Sequence, residues 1–190
     1  MPRPLKPTRE QLAAANGKKT VPDLVGPGLR VLFVGINPGL YSGATGHHFA
    51  RPGNRFWPAL HQSGFTPRLL HPSEDRELLS FGLGMSKLAH RATATAAELT
   101  KEELRRGGTS LRRIVRKWSP RAVCFLGVGA YCDAFGLKKP ADGIGRQRAS
   151  FEGAELWVLP NPSGLNANHQ LPDFVRMFRE LRESVGEGSH

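Results

Sequence analysis

Three short apolar runs stand out along the chain: RVLFVGI at 30–36, RAVCFLG at 121–127 and ELWVLP at 155–160. Each is rich in β-branched and aromatic residues and bounded by glycine or proline, the pattern of a strand. Their hydrophobicity is nearly continuous rather than alternating, which predicts strands covered on both faces, as in a parallel sheet. GMSKLA at 84–89 is a weaker fourth candidate. Between these runs the apolar spacing changes to three and four. Residues 100–118 open with Thr100 and Glu103 in capping-box spacing and place Leu104, Leu111, Ile114, Val115 and Trp118 on one side, although Gly107-Gly108 predicts a break or kink. Leu171, Phe174, Val175, Phe178, Leu181 and Val185 predict a final helix, with Pro172 and Asp173 suited to its first turn. Shorter helical stretches are expected at 54–64 and 73–82, and a brief one at 8–16. Strands alternating with helices predict an α/β fold, a three-layer sandwich with a central, mostly parallel sheet flanked by helices. In such sheets ligands bind beyond the carboxyl ends of the strands, so loops starting at Ile36 and at Pro160 are expected on one rim.

A chain of 190 residues with 39% hydrophobic content suits a single core. The expected organisation is a basic, partly disordered arm over 1–28, rich in proline, lysine and arginine, followed by one domain over 29–186. No window approaches the roughly 18 to 20 apolar residues of a bilayer span, and the first residues lack the apolar stretch of a signal peptide. A cytoplasmic protein without a membrane partner is expected. Cys124 and Cys132 sit among core-like neighbours and read as reduced and buried. Charge adds more: 27 Lys+Arg against 16 Asp+Glu leave +11, which favours a polyanionic partner, nucleic acid before membrane.

The chemistry concentrates where two runs end. GINPG at 35–39 and LPNPSG at 159–164 both finish a strand with Asn-Pro and glycine. Pro38 stiffens its turn and extends Asn37, which aims the carboxamide, while the glycines let backbone approach a ligand. The first loop lacks the Lys-Ser/Thr ending of a phosphate-binding loop, and GVGA at 127–130 is too short for a dinucleotide fingerprint. Ser163 has no leading glycine at nucleophile-elbow spacing. The histidines are scattered, with no metal-ligand spacing, so no metal site is expected.

GINPG at 35–39, HFARPGNRFW at 48–57 and NPSGL at 161–165 together resemble the motifs of the mismatch-specific uracil-DNA glycosylases, bacterial relatives of thymine-DNA glycosylase within the uracil-DNA glycosylase superfamily. The similarity runs from about Gly28 to Arg182. It implies a nucleoid-associated monomer that flips a mispaired uracil, or another modified pyrimidine, out of double-stranded DNA and hydrolyses its N-glycosidic bond. No metal or redox cofactor is implied; water is the second substrate.

Residue by residue, the resemblance makes Asn37 the group that positions the attacking water. A carboxamide orients water but is no strong base. Phe49 is the ring on which the base stacks, backbone groups of Ile36 and Phe49 read the uracil edge, and Gly35 is a further substrate-binding residue. Ser42 lies where the pocket meets position 5 of the pyrimidine, and Asn161 stands where other families carry a histidine. Leu165 is the wedge that fills the gap left by the flipped nucleotide, with Gly164 and Asn166 facing the orphaned guanine. Two departures matter: Ala167 occupies a position where relatives often place an arginine that anchors the wedge, and Ala97 aligns with a position expected to be polar. The competing reading is a noncatalytic basic α/β module that binds DNA without chemistry; a small-molecule esterase using Ser163 ranks below both.

Overall fold

A computed structural model describes residues 6–186. Five strands form one sheet in the order β2-β1-β3-β5-β4. Strands β1 (Val31–Gly35), β2 (Leu83–Lys87), β3 (Ala122–Leu126) and β5 (Ala154–Leu159) are the four expected runs, and they pair in parallel. Strand β4 (Gly145–Phe151) closes the edge antiparallel to β5, with an irregularity between Arg146 and Ser150.

Alternation along the strands sorts the core into two layers. Val31, Phe33, Met85, Cys124, Trp157 and Leu159 face α3 (Phe56–Gln62) and α6 (Leu171–Val185), together with a 3-10 segment at Pro72–Phe81. Leu32, Val34, Val123, Phe125, Leu156 and Val158 face α4 (Lys101–Trp118) and α5 (Val128–Phe135). The result is the three-layer sandwich that the apolar pattern predicts. Both cysteines are buried and unpaired, and burial pushes the Cys124 thiol well above its ordinary pKa. Among the described residues no helix is long and apolar enough to cross a membrane.

Three expectations need correction. Gly107 and Gly108 do not break α4, which runs uninterrupted for 18 residues. They lie on its buried face, where a Cβ on Gly107 would sit 1.7 Å from the Leu88 carbonyl oxygen; glycine here buys close packing rather than a kink. No helix is expected directly after GINPG, yet Leu40–Thr45 forms α2, ended by Gly46 at φ 78°. The boundary at 28/29 does not match the packing either. A helix, α1 (Arg9–Ala15), is closed at its start by a Thr8–Gln11 capping box and packs on α2. Ala15, Val21 and Leu24 are buried, and Leu24 bridges to Met85 of β2.

Candidate active site

Because β1 and β5 flank β3 with the same polarity, their carboxyl ends deliver both Asn-Pro loops to one rim. Gly127, which ends β3 between them, has Ile36 so close that an added Cβ would meet its side chain at 2.7 Å. A cavity of about 610 Å³ opens there. Gly35, Ile36, Asn37, Ser42 and Phe49 line it from one side, and Asn161, Leu165 and Asn166 from the other. Gly164 is exposed and stands outside the lining, and a Cβ on it would stand 2.9 Å from Gly53 O.

Asn37 is held by its nitrogen. Nδ2 donates toward Pro38 O at 3.1 Å, Arg91 O at 3.0 Å and Thr93 Oγ1 at 2.7 Å. Two of these partners are carbonyl oxygens, which only accept, so the amide orientation is dictated. Thr93 Oγ1 donates its own proton to Thr95 O at 2.8 Å, leaving its lone pairs for Asn37. Oδ1 therefore remains for a ligand in the cavity. The 91–93 loop that supplies these acceptors is anchored by Arg91, whose guanidinium grips both Glu103 oxygens at 2.5 and 3.0 Å. That grip, aided by the Thr100 backbone N–H, holds the Glu103 carboxyl down at about 2.

Phe49 has φ 50°, in the left-handed region that a bulky residue adopts only when its surroundings impose it. Its ring stacks on Phe56 at 4.4 Å with the planes 17° apart. One face is thus covered, and the ring borders the cavity. Gly35 makes the arrangement fit, since a Cβ there would stand 3.3 Å from Phe49 Cζ. Ser42 is buried on α2, and its Oγ accepts from the Ala50 backbone N–H at 3.1 Å, tying the Phe49 segment to that helix.

The neighbouring His48 is buried, with Nε2 2.7 Å from Pro22 O, so Nε2 carries the proton. Burial first, and the Lys87 charge second, lower its pKa to about 4. Lys87 ends β2 beside Gly35 and lines the cavity, only 4% exposed, its Nζ 2.8 Å from Asp23 Oδ1. Asp23 also accepts from Ser86 Oγ at 3.1 Å.

In the second loop, Asn161 Oδ1 accepts from the Ser163 N–H at 3.1 Å, and Asn166 Nδ2 donates to Asn161 O at 3.0 Å. These bonds fold a turn that leaves Leu165 at its tip, 73% exposed. The turn is fastened by Arg55. Its N–H donates to Pro162 O at 2.9 Å, Nη1 to Ser163 O at 2.9 Å and Asn166 O at 3.0 Å, and Nη2 to Gln170 Oε1 at 3.2 Å. Arg55 thus does the anchoring that Ala167 cannot. Ala97 is exposed in a 3-10 turn, Ala96–Glu98, and does not line the cavity.

Sequence reasoning passed over Arg55, Thr93, Lys87 and Asp23. NRFW held a signal for the first, an arginine flanked by residues that cap and begin a helix. Nothing local marked the others, whose partners are 56 and 64 positions away.

The sequence profile of the Uracil DNA glycosylase superfamily matches residues 22–184, and the chain belongs to that superfamily. Fold and family together define a DNA glycosylase, a hydrolase of DNA repair. The fold is also similar to the solution structure of a Methanosarcina acetivorans protein described as a candidate uracil DNA glycosylase. The TM-score is 0.54, with 20% identity, over 88% of this chain and 98% of that one.

Proposed function

We propose that the chain is a monofunctional, mismatch-specific glycosylase that excises uracil from G·U mispairs in double-stranded DNA. The observation that carries this reading is the convergence of Asn37, Phe49 and Leu165 on one cavity. A wobble-paired uracil flips at lower cost than a Watson–Crick pair, so the mispair selects itself in part. Leu165, apolar and exposed, fills the vacated stack. The base enters and stacks on the free face of Phe49, worth about 1 to 3 kcal/mol.

Asn37 Oδ1 then accepts from a water and directs its oxygen at C1′ of the deoxyribose. The C1′–N1 bond breaks with its electron pair going to uracil, which departs as an anion. The sugar gains oxocarbenium character, water adds to C1′, and its proton passes to solvent. Asn37 has no basicity to offer, so rate depends on position and on dipoles aimed at the departing base. Slow turnover is expected.

A panel of oligonucleotides tests this: uracil opposite guanine, uracil opposite adenine, single-stranded uracil and thymine opposite guanine. The expected result is alkali-labile sites first and fastest at G·U. A chain that shifts these duplexes in a gel yet releases no base is a binding module instead.

A further inference from the structure

Residues 6–21 precede the stretch that the superfamily profile matches, yet they reach the candidate site. Leu12 of α1 and Val21 line the cavity. Immediately after α1, Gly17 N donates to Ala92 O at 2.8 Å, and Ala92 N donates to Lys18 O at 2.8 Å. Both backbone groups of Ala92 are therefore taken by this segment. The residues on either side of Ala92 are Arg91, whose carbonyl holds Asn37 Nδ2, and Thr93, whose hydroxyl does the same.

Small residues make the approach possible. A Cβ on Gly43 of α2 would lie 2.6 Å from Ala92 Cβ and 3.3 Å from Ala15 Cβ, so α1, α2 and the 91–93 loop meet through minimal side chains. Thr20 Oγ1 donates to Gly43 O and fastens the segment a second time. Gly17 itself has φ 74°, a conformation costly for other residues.

We propose that residues 8–20 form a positioning strap for Asn37: by clamping Ala92 they fix two of the three acceptors that set the carboxamide, and hence the direction of the attacking water. This rests on the role given to Asn37 above. The strap contacts no reacting atom. Its effect passes through the 91–93 loop, and that loop keeps its other anchors, Arg91 on Glu103 and Glu98 O and Thr93 N on Pro38 O, when the strap is released.

Two full-length variants release it by different chemistry. Ala15→Asp sets a carboxylate against Gly43, where only small side chains fit; Gly17→Pro removes the donor to Ala92 and cannot adopt the positive φ. Release is verified by new tryptic cleavage after Lys18 or Lys19. The Asn37 side-chain NH₂ resonances, identified by their loss in Asn37→Ala, report position directly. In both variants these protons should exchange faster, and single-turnover uracil release should fall about tenfold or more, as misplacement of a reacting group does. Affinity for undamaged duplex should stay within about threefold, because few phosphate contacts change. A freed strap with unchanged NH₂ exchange and unchanged rate overturns the proposal. So does a defect confined to global unfolding, with the Asn37 signals identical below the melt. If the unaltered chain releases no uracil yet Asn37 exchange accelerates in both variants, the strap stands and the glycosylase reading falls.

Discussion

An amide side chain has two chemically different ends, and the residues around Asn37 decide which one a ligand meets. Two carbonyls and a hydroxyl whose proton is already donated can bind only the nitrogen. Sequence made Asn37 an aimed residue through Pro38, but the direction of aim comes from Arg91 and Thr93, more than fifty positions away, and was not readable locally. His48 is a similar case. Its neutral form donates to Pro22 O, and burial holds its pKa at about 4 against 6.5. The facing charges are Lys87, which lowers it further, and Asp75 and Asp23, which oppose that. Below pH 6.5 the unfolded histidine takes a proton that the folded one refuses, so the unfolded state binds more protons and stability falls on acidification. For this group the loss begins near pH 6.5, is complete near pH 4, and amounts to roughly 3 kcal/mol. Denaturant titrations between pH 7 and pH 4 should show that slope in the unaltered chain and a much flatter one in His48→Gln; parallel profiles would contradict it.

At the scale of elements, legibility followed the density of apolar residues. Strands β1, β3 and β5 were plain because both faces of each are buried. Strand β4 was not, because GRQRASF is mostly polar and only Gln147 and Phe151 turn inward, as an edge strand permits. Residues 1–28 looked like an arm because prolines and basic residues dominate them; residues 1–5 lie outside the described residues, and in the rest only the scattered Ala15, Val21 and Leu24 supply buried apolar side chains. The turn at 161–166 shows the same division. Its tip, Leu165, was recognisable from NPSGL, whereas its fastening to Arg55 joins segments 108 and 111 positions apart. Arg55→Lys keeps the charge and loses the planar fork, giving up charge-assisted bonds worth about 1.5 to 3 kcal/mol. Excision from a G·U duplex should therefore fall about 10- to 100-fold, while single-stranded uracil, which needs no wedge, should be affected far less. Equal losses on both substrates would mean that Arg55 serves the fold and not the wedge.

The molecule as a whole carries +11, and this charge acts before any local contact does. Phosphate neutralisation releases counterions, so binding to undamaged duplex should weaken linearly on a log–log plot against salt. With about five phosphate contacts the slope is near −4.5; a slope near zero would leave the surplus charge without a role in DNA binding. Charge draws the chain to a polyanion, whereas the excision proposed above depends on the Asn37 carboxamide that lines the cavity. The most direct measurement is single-turnover release of free uracil from a duplex with one G·U mispair, comparing the unaltered chain with Asn37→Ala at saturating protein. The unaltered chain should release the base and Asn37→Ala should lose release by about a hundredfold or more, the effect of a misplaced reactant, while still binding the duplex. Equal release by the two proteins would contradict the assignment of the attacking water to Asn37.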